Sequence, residues 1–233
     1  MISFQTLLFA LFGGIFPALL CLWFWLKEDK KRPEPRGLII LTFIAGMVAV
    51  PLVLPFEKFF DVRFSGILVI ILWAATEEIF KFAGAYFAVL KRKEMDEPVD
   101  AVIYMITIAL GFAALENTLF LLNPLTHGDF VNTIINGNLR FLGATLLHTL
   151  SSAAIGVMIA LSFYRKKILK KTYVFFGLIL AIVLHTLFNF FIMKESGSQM
   201  LIVFFFVWIG IIILILLFEK IKRIRNPNKL SIK

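Results

Sequence analysis

In the run WAATEEIFKF at Trp73–Phe82, two adjacent glutamates and a lysine interrupt a stretch that is otherwise apolar, with FSGILVIIL before it and AGAYFAVL after it. Three later apolar runs also hold polar groups. DAVIYMITIALGFAALENTLFLL carries Glu116 and Asn117, with Asp100 at its start. NLRFLGATLLHTLSSAAIGVMIALSFY carries Arg140 and His148, and TYVFFGLILAIVLHTLFNFFIM carries His185 and Asn189. Carboxylates beside histidines are a hydrolytic inventory. A carboxylate in a poorly solvated site is a competent base toward water. Histidine and asparagine side chains can hydrogen-bond a developing oxyanion. Glutamate and histidine are also ordinary zinc ligands, and a catalytic zinc keeps three protein ligands and a water. Glu78, Glu116, His148 and His185 permit a divalent metal such as zinc without demanding one. The chain has no HExxH segment, the usual sign of a zinc protease helix. Ser151 and Ser152 follow His148 by one turn, but neighbours on one helix are weak grounds for a serine triad.

Each group also has a structural reading. Glu77 and Lys81 are four apart, share a helix face and can neutralise each other. Membrane histidines and asparagines often serve as interhelical hydrogen-bonding glue. Asp100 and Arg140 lie near the ends of their runs, where capping or snorkelling is the simpler role, and Ser151 and Ser152 can bond backbone carbonyls. These readings weaken when the groups are taken together. Glu78 lies about 100° round the helix from Glu77, so one lysine does not easily serve both carboxylates. Glu116 has no basic residue deep in its own run. A charge at the centre of a membrane helix costs on the order of 2.5–3.5 kcal/mol on insertion scales.

The elements that hold these residues follow from composition. Of 233 residues 60% are hydrophobic and 15% aromatic, with a mean hydropathy of +0.91. No soluble interior of that size hides so much apolar surface, so the chain reads as an integral membrane protein. Seven stretches have the length of a spanning helix: 2–26, 37–55, 64–90, 100–123, 138–164, 172–193 and 199–218. The expected fold is an all-α, polytopic bundle of about seven transmembrane helices. It forms one domain over 1–233, with a motif core at 64–193 and a basic tail at 219–233. The first stretch lacks a basic leader region and a small-residue cleavage site, so it reads as a retained helix. The single cysteine, Cys21, offers neither an intrachain disulfide nor a multi-cysteine metal site.

Loop charge orients the bundle. KEDKKRPEPR, KRKEMDEPV, RKKILKK and the tail EKIKRIRNPNKLSIK are basic, whereas FEKFFDVR is mixed, NPLTHGDFVNTIING has no lysine or arginine and KESGSQ has one lysine. Rich and poor loops alternate, which predicts an N-terminus outside and a C-terminus in the cytoplasm of a bacterial-type plasma membrane. The net charge of +9 thus reflects orientation and contact with anionic lipid rather than nucleic-acid binding. Counted inward from the outer ends of the stretches, Glu77 lies about 13 residues deep, Glu116 about 7, His148 about 10 and His185 about 8, at about 1.5 Å per residue. Their helices run in opposite directions, yet all four fall in the outer half or near the midplane. A convergent site predicts that agreement; scattered glue does not.

Four ordered blocks resemble those of the PrsW family of intramembrane proteases. EEIFK at 77–81 is similar to its EExxK motif. DAVIYMITIALGFAALEN at 100–117 contains Phe112 and Glu116 as FxxxE, Arg140 stands eight residues before His148, and HTLFN at 185–189 resembles a closing HxxxD/N. Asn189 stands where the best-known members have aspartate, as it does in the related CAAX prenyl endopeptidases, and Ala101 replaces a common glycine. The resemblance implies an endopeptidase that cuts a single-span membrane protein near the extracytoplasmic side, as in first-site cleavage of an anti-sigma factor. It further implies that Glu77 and Glu78 activate water with help from Glu116 and His148, that His185 and Asn189 bind a metal or the oxyanion, and that Lys81 and Arg140 neutralise or orient the carboxylates. Asn117 and Asp100 are supporting residues. Metal-dependent and glutamate-activated chemistry both stay open. The rival readings are an ion or proton transporter using the same carboxylates, against which no inverted repeat is found, and a non-catalytic partner-binding protein.

Overall fold

The computed structural model describes the backbone of residues 3–29, 32–126, 130–194 and 198–225, with side chains described throughout except at 123, 124, 126, 130–142, 193, 194 and 198–200. Seven α-helices follow in order: α1 (Phe4–Glu28), α2 (Arg36–Arg63), α3 (Ile67–Ala85), α4 (Pro98–Thr126), α5 (Phe130–Leu161), α6 (Lys167–Lys194) and α7 (Ser198–Ile221). A π-helical turn, Tyr86–Leu90, extends α3, and no strand occurs among the described residues. Six of the helices are long and apolar enough to cross a membrane by length and composition. The exception is α3, which holds Glu77, Glu78 and Lys81. α2, α4, α6 and α7 extend beyond both ends of their expected stretches, whereas α3 starts three residues later than expected and α5 ends three residues earlier. α2 continues to Arg63 through Pro51 and Pro55, which a membrane helix tolerates when neighbours and local adjustments satisfy the freed carbonyls.

The bundle is built around α4. Its run Val99–Ala114 is buried almost without interruption, because a helix that is apolar all round belongs in an interior. α1, α2 and α5 pack directly against it. Close approach depends on small residues, as membrane helices lack a strong hydrophobic drive to associate and rely on contact. A methyl group on Gly46 of α2 would run into the backbone of α4 at Ile108 and Phe112.

α3 is amphipathic with its polarity reversed. Ile70, Ala74, Glu77, Glu78, Lys81 and Ala85 form its buried stripe, while Ile67, Leu68, Ile71 and Ile79 face outward. Their spacing of three and four residues places them on one side of the helix. Gly66, at φ 66°, turns the chain into α3 through a backbone conformation that a side chain disfavours. α3 packs against α2, α6 and α4, so its polar stripe is enclosed by the bundle.

Candidate active site

α3 contributes Glu77, Glu78 and Lys81, α4 contributes Phe112 and Glu116, α5 contributes His148, Ser151 and Ser152, and α6 contributes His185 and Asn189. The ring centroids of His148 and His185 are 5.0 Å apart, edge to face. Between these helices lies a cavity of about 370 Å³, lined by Glu77, Glu116, Asn117, His148, His185 and Asn189, with Glu57, Lys58 and Asp61 of α2 and Trp73 of α3 also in its wall.

The two glutamates of α3 have different surroundings. Glu78 is fully buried. Its Oε1 accepts from Lys81 Nζ at 2.6 Å, Ser151 Oγ at 2.9 Å and His185 Nδ1 at 2.9 Å, and its Oε2 accepts from Ser152 Oγ at 2.8 Å. That is a satisfied, ionised carboxylate, tied to a lysine whose ammonium also lies 4.5 Å over the Phe112 ring. Glu77 lines the cavity instead. Its Oε2 is buried without a hydrogen-bond partner among the described residues, 3.7 Å from His185 Nε2, 3.9 Å from His148 Nδ1 and 3.7 Å from Lys81 Nζ. The lysine therefore serves Glu78 first and Glu77 second, the reverse of the pairing that four-residue spacing suggests.

The hydrogen bonds assign both imidazole tautomers. Lys81 donates to His148 Nδ1 at 2.9 Å, leaving the Nε2 hydrogen of His148 for Glu116 Oε2 at 2.7 Å. His185 donates from Nδ1 to Glu78, so its Nε2 carries a lone pair toward Glu77. A carboxylate holding the far nitrogen of a histidine is the arrangement that orients metal-ligating imidazoles. An acceptor oxygen and an acceptor nitrogen that face each other attract a cation or a proton donor between them. One donor atom each from Glu77, His148 and His185 lies within 4.8 Å of the others, all three buried. This oxygen-and-nitrogen set fits a divalent ion of the zinc type.

The donor group differs from the expected one in its carboxylates. Glu78, expected among the ligands, spends both oxygens on its neighbours. Glu116 bonds His148 and is the more open carboxylate, with 40% of its side chain exposed. Asn189 is half-buried in the cavity wall. Asn117 donates to Thr145 Oγ1 at 3.2 Å. Asp100 is not brought to the site. It precedes Glu116 by four and a half turns, about 24 Å along α4, where its Oδ2 accepts the amides of Asp96 at 2.9 Å and Glu97 at 2.7 Å. The side chain of Arg140 lies outside the described residues.

Position on a helix offers Ser151 and Ser152 backbone carbonyls as partners. Ser151 does reach His148 O at 3.3 Å, but both hydroxyls also hold Glu78. Their signal was position: three and four residues after His148, they share its helix face. Phe112 belongs to the FxxxE motif, and only the assembled bundle sets it beneath Lys81 and beside His148, at 5.3 Å between rings.

Residues 34–217 match the family model described as PrsW family intramembrane metalloprotease. Among curated relatives, Protease PrsW of Halalkalibacterium halodurans is 27% identical over 226 residues, covering 94% of this chain and 97% of that protein. Protease PrsW of Oceanobacillus iheyensis is 28% identical over 210 residues, covering 87% and 91%. Protease PrsW of Geobacillus kaustophilus is 25% identical over 193 residues, covering 79% and 80%. No solved structure matches the chain.

Proposed function

This chain belongs to the PrsW family of intramembrane metalloproteases, a peptide hydrolase and multi-pass protein of a bacterial membrane, and from that premise we propose its substrate, its side of cleavage and the roles of its residues. The substrate is a single-span membrane protein, of which an anti-sigma factor is one example, cut near the extracytoplasmic side. Loop charge supports that side, because the poorly basic loops adjoin the ends of the apolar stretches nearest Glu116, His148 and His185, with Glu77 at the middle of its own.

The observation that carries the catalytic reading is the unpartnered Glu77 Oε2 facing two imidazoles in a cavity. Glu77, His148 and His185 would hold a divalent cation, the Lys81 ammonium giving up His148 Nδ1 to it. Such an ion, when bound, polarises a carbonyl and makes water acidic enough to attack at neutral pH. Glu116 is the carboxylate best exposed to the cavity and takes the proton of the attacking water. Its hydrogen bond from His148 Nε2 keeps it aimed. Asn189 supplies an amide hydrogen to the carbonyl oxygen as charge develops there. Glu78 acts through others: it orients His185 and balances Lys81, while Ser151 and Ser152 hold it in place.

The test uses the full chain in proteoliposomes with single-span bait proteins. Wild type is expected to cleave a bait on the luminal or extracytoplasmic side of its span, and Glu77→Gln to leave it intact. Equal cleavage by both proteins overturns the assignment.

A further inference from the structure

A second concavity adjoins the first from the lipid side. Helix α7 packs on α5 and barely touches α6. At Gly210 a methyl group would crowd the end of the Leu150 side chain of α5. The gap between α6 and α7, floored by α5, is an apolar furrow of about 450 Å³. Leu184, Leu187 and Phe191 form one bank, and Ile202, Phe206 and Ile213 form the other. Leu147 and Phe188 line both the furrow and the catalytic cavity. Both are buried, so they form the partition between a wet chamber and a lipid-facing cleft.

We propose that this furrow receives the transmembrane helix of the substrate and passes it to the catalytic cavity between Leu147 and Phe188. The proposal rests on the proteolytic reading above and adds a route and a docking surface to it. From Ile202 to Ile213 the furrow runs about 17 Å along α7, roughly half the hydrocarbon thickness of a bilayer. Its α6 bank, Leu184 to Phe191, flanks His185 in sequence, so a helix seated there lies at the depth of the catalytic groups. Helices associate in lipid by packing, which favours a concave seat over a flat apolar face. A helical peptide bond must also unwind before hydrolysis. Unwound backbone is tolerated at membrane depth only inside protein or beside a water-filled cavity, and the far side of Leu147 and Phe188 is the polar-lined chamber.

Matched neighbours on α7 make the test. Phe205 and Phe206 are 62% and 64% exposed, and Ile212 and Ile213 are 55% and 51% exposed, yet only Phe206 and Ile213 line the furrow. A photoreactive benzophenone residue replaces Phe206 or Phe205 in the inactive Glu77→Gln chain, in proteoliposomes with a bait that wild type cleaves. Bait adducts are expected at 206 and not at 205. In the active chain, Ile213→Trp is expected to lower kcat/KM for that bait about tenfold, a change of about 1.4 kcal/mol, while Ile212→Trp leaves it unchanged. Equal capture at 205 and 206, adducts at 206 with lipid or a second copy alone, or full activity of Ile213→Trp overturns the route while the wild-type cleavage upholds the protease. A wild type that cleaves no bait overturns the protease reading, and the route with it.

Discussion

The molecule buries acid at two ends of the bundle, and the two clusters differ in the partners that meet it and in their access to a cavity. At the cavity end, Glu77, Glu78 and Glu116 are interleaved with His148, His185 and Lys81. At the Asp100 end, Asp29, Glu34, Asp100 and Tyr104 form an acid-rich group in which the Tyr104 hydroxyl donates to Glu34 and Arg32 pairs with Glu97. Burial pushes Glu34 up to about 8; its hydrogen bond to Asp100 and the charges of Asp100 and Asp29 add to this, and the Tyr104 hydrogen bond opposes it. Burial, reinforced by Asp100 and Glu97, pushes Asp29 up to about 7. Carboxyls of this kind settle their burial by keeping protons. At the cavity end the carboxyl groups are met by a lysine and imidazoles, and Glu77 lines a chamber with its Oε2 unpartnered among the described residues. Buried acid alone does not make a reaction site. Counter-charge without full neutralisation, and access, do.

The comparison breaks most readily through function. Glu77→Gln should lower bait cleavage about a thousandfold or more, whereas Glu34→Gln should leave it within about twofold, since that residue lies at the other end of α4; parallel kinetics in proteoliposomes decide this. Metal removal should act on the same end only. A strong chelator should abolish cleavage, added zinc should restore it, and His185→Gln should reduce the metal bound per purified chain. Unchanged activity after verified metal removal would favour water activation by glutamate alone.

Stability sharpens the contrast. Lys81→Met strips Glu78 of its cation and should destabilise the bundle by about 3–5 kcal/mol, read by unfolding in mild detergent. Pairing it with Glu78→Leu should recover much of that loss without recovering activity. A smaller effect belongs to the Asp100 end. Glu34 binds its proton more tightly in the fold than its usual value of 4.5, so its contribution to stability is complete below that value and fades as pH rises through about 8. The Tm should therefore fall between about pH 4.5 and 8 through this residue, and Glu34→Gln should flatten that part of the profile. The smallest change is Ser152→Ala, which removes one hydrogen bond to Glu78 and should cost about 1–3 kcal/mol, with only a modest loss of rate.

Much was legible in the residues themselves. Composition and the length of apolar runs determine a helical membrane protein, because only helices satisfy every backbone group within a single segment in lipid. The expense of membrane charge marks Glu77, Glu78, Glu116, His148 and His185 as residues with a purpose, and their shared place in the outer half or near the midplane on four helices predicts their meeting. Asp100 shows the limit of that reasoning, since it belongs to the same motif block as Glu116 and sits some four turns away.

What the sequence could not determine is which atom faces which. Glu77 and Glu78 are adjacent and chemically identical, and helical spacing favours Glu77 as the partner of Lys81. The assembled bundle decides otherwise. Enclosure of α3 by α2, α4 and α6 buries both carboxylates, and the hydroxyls of α5 and the imidazole of α6 claim Glu78. Glu77 is left lining the cavity, its Oε2 without a hydrogen-bond partner among the described residues. Hydrogen-bond partners separated by 67 to 107 positions along the chain make that distinction, and no local pattern encodes them.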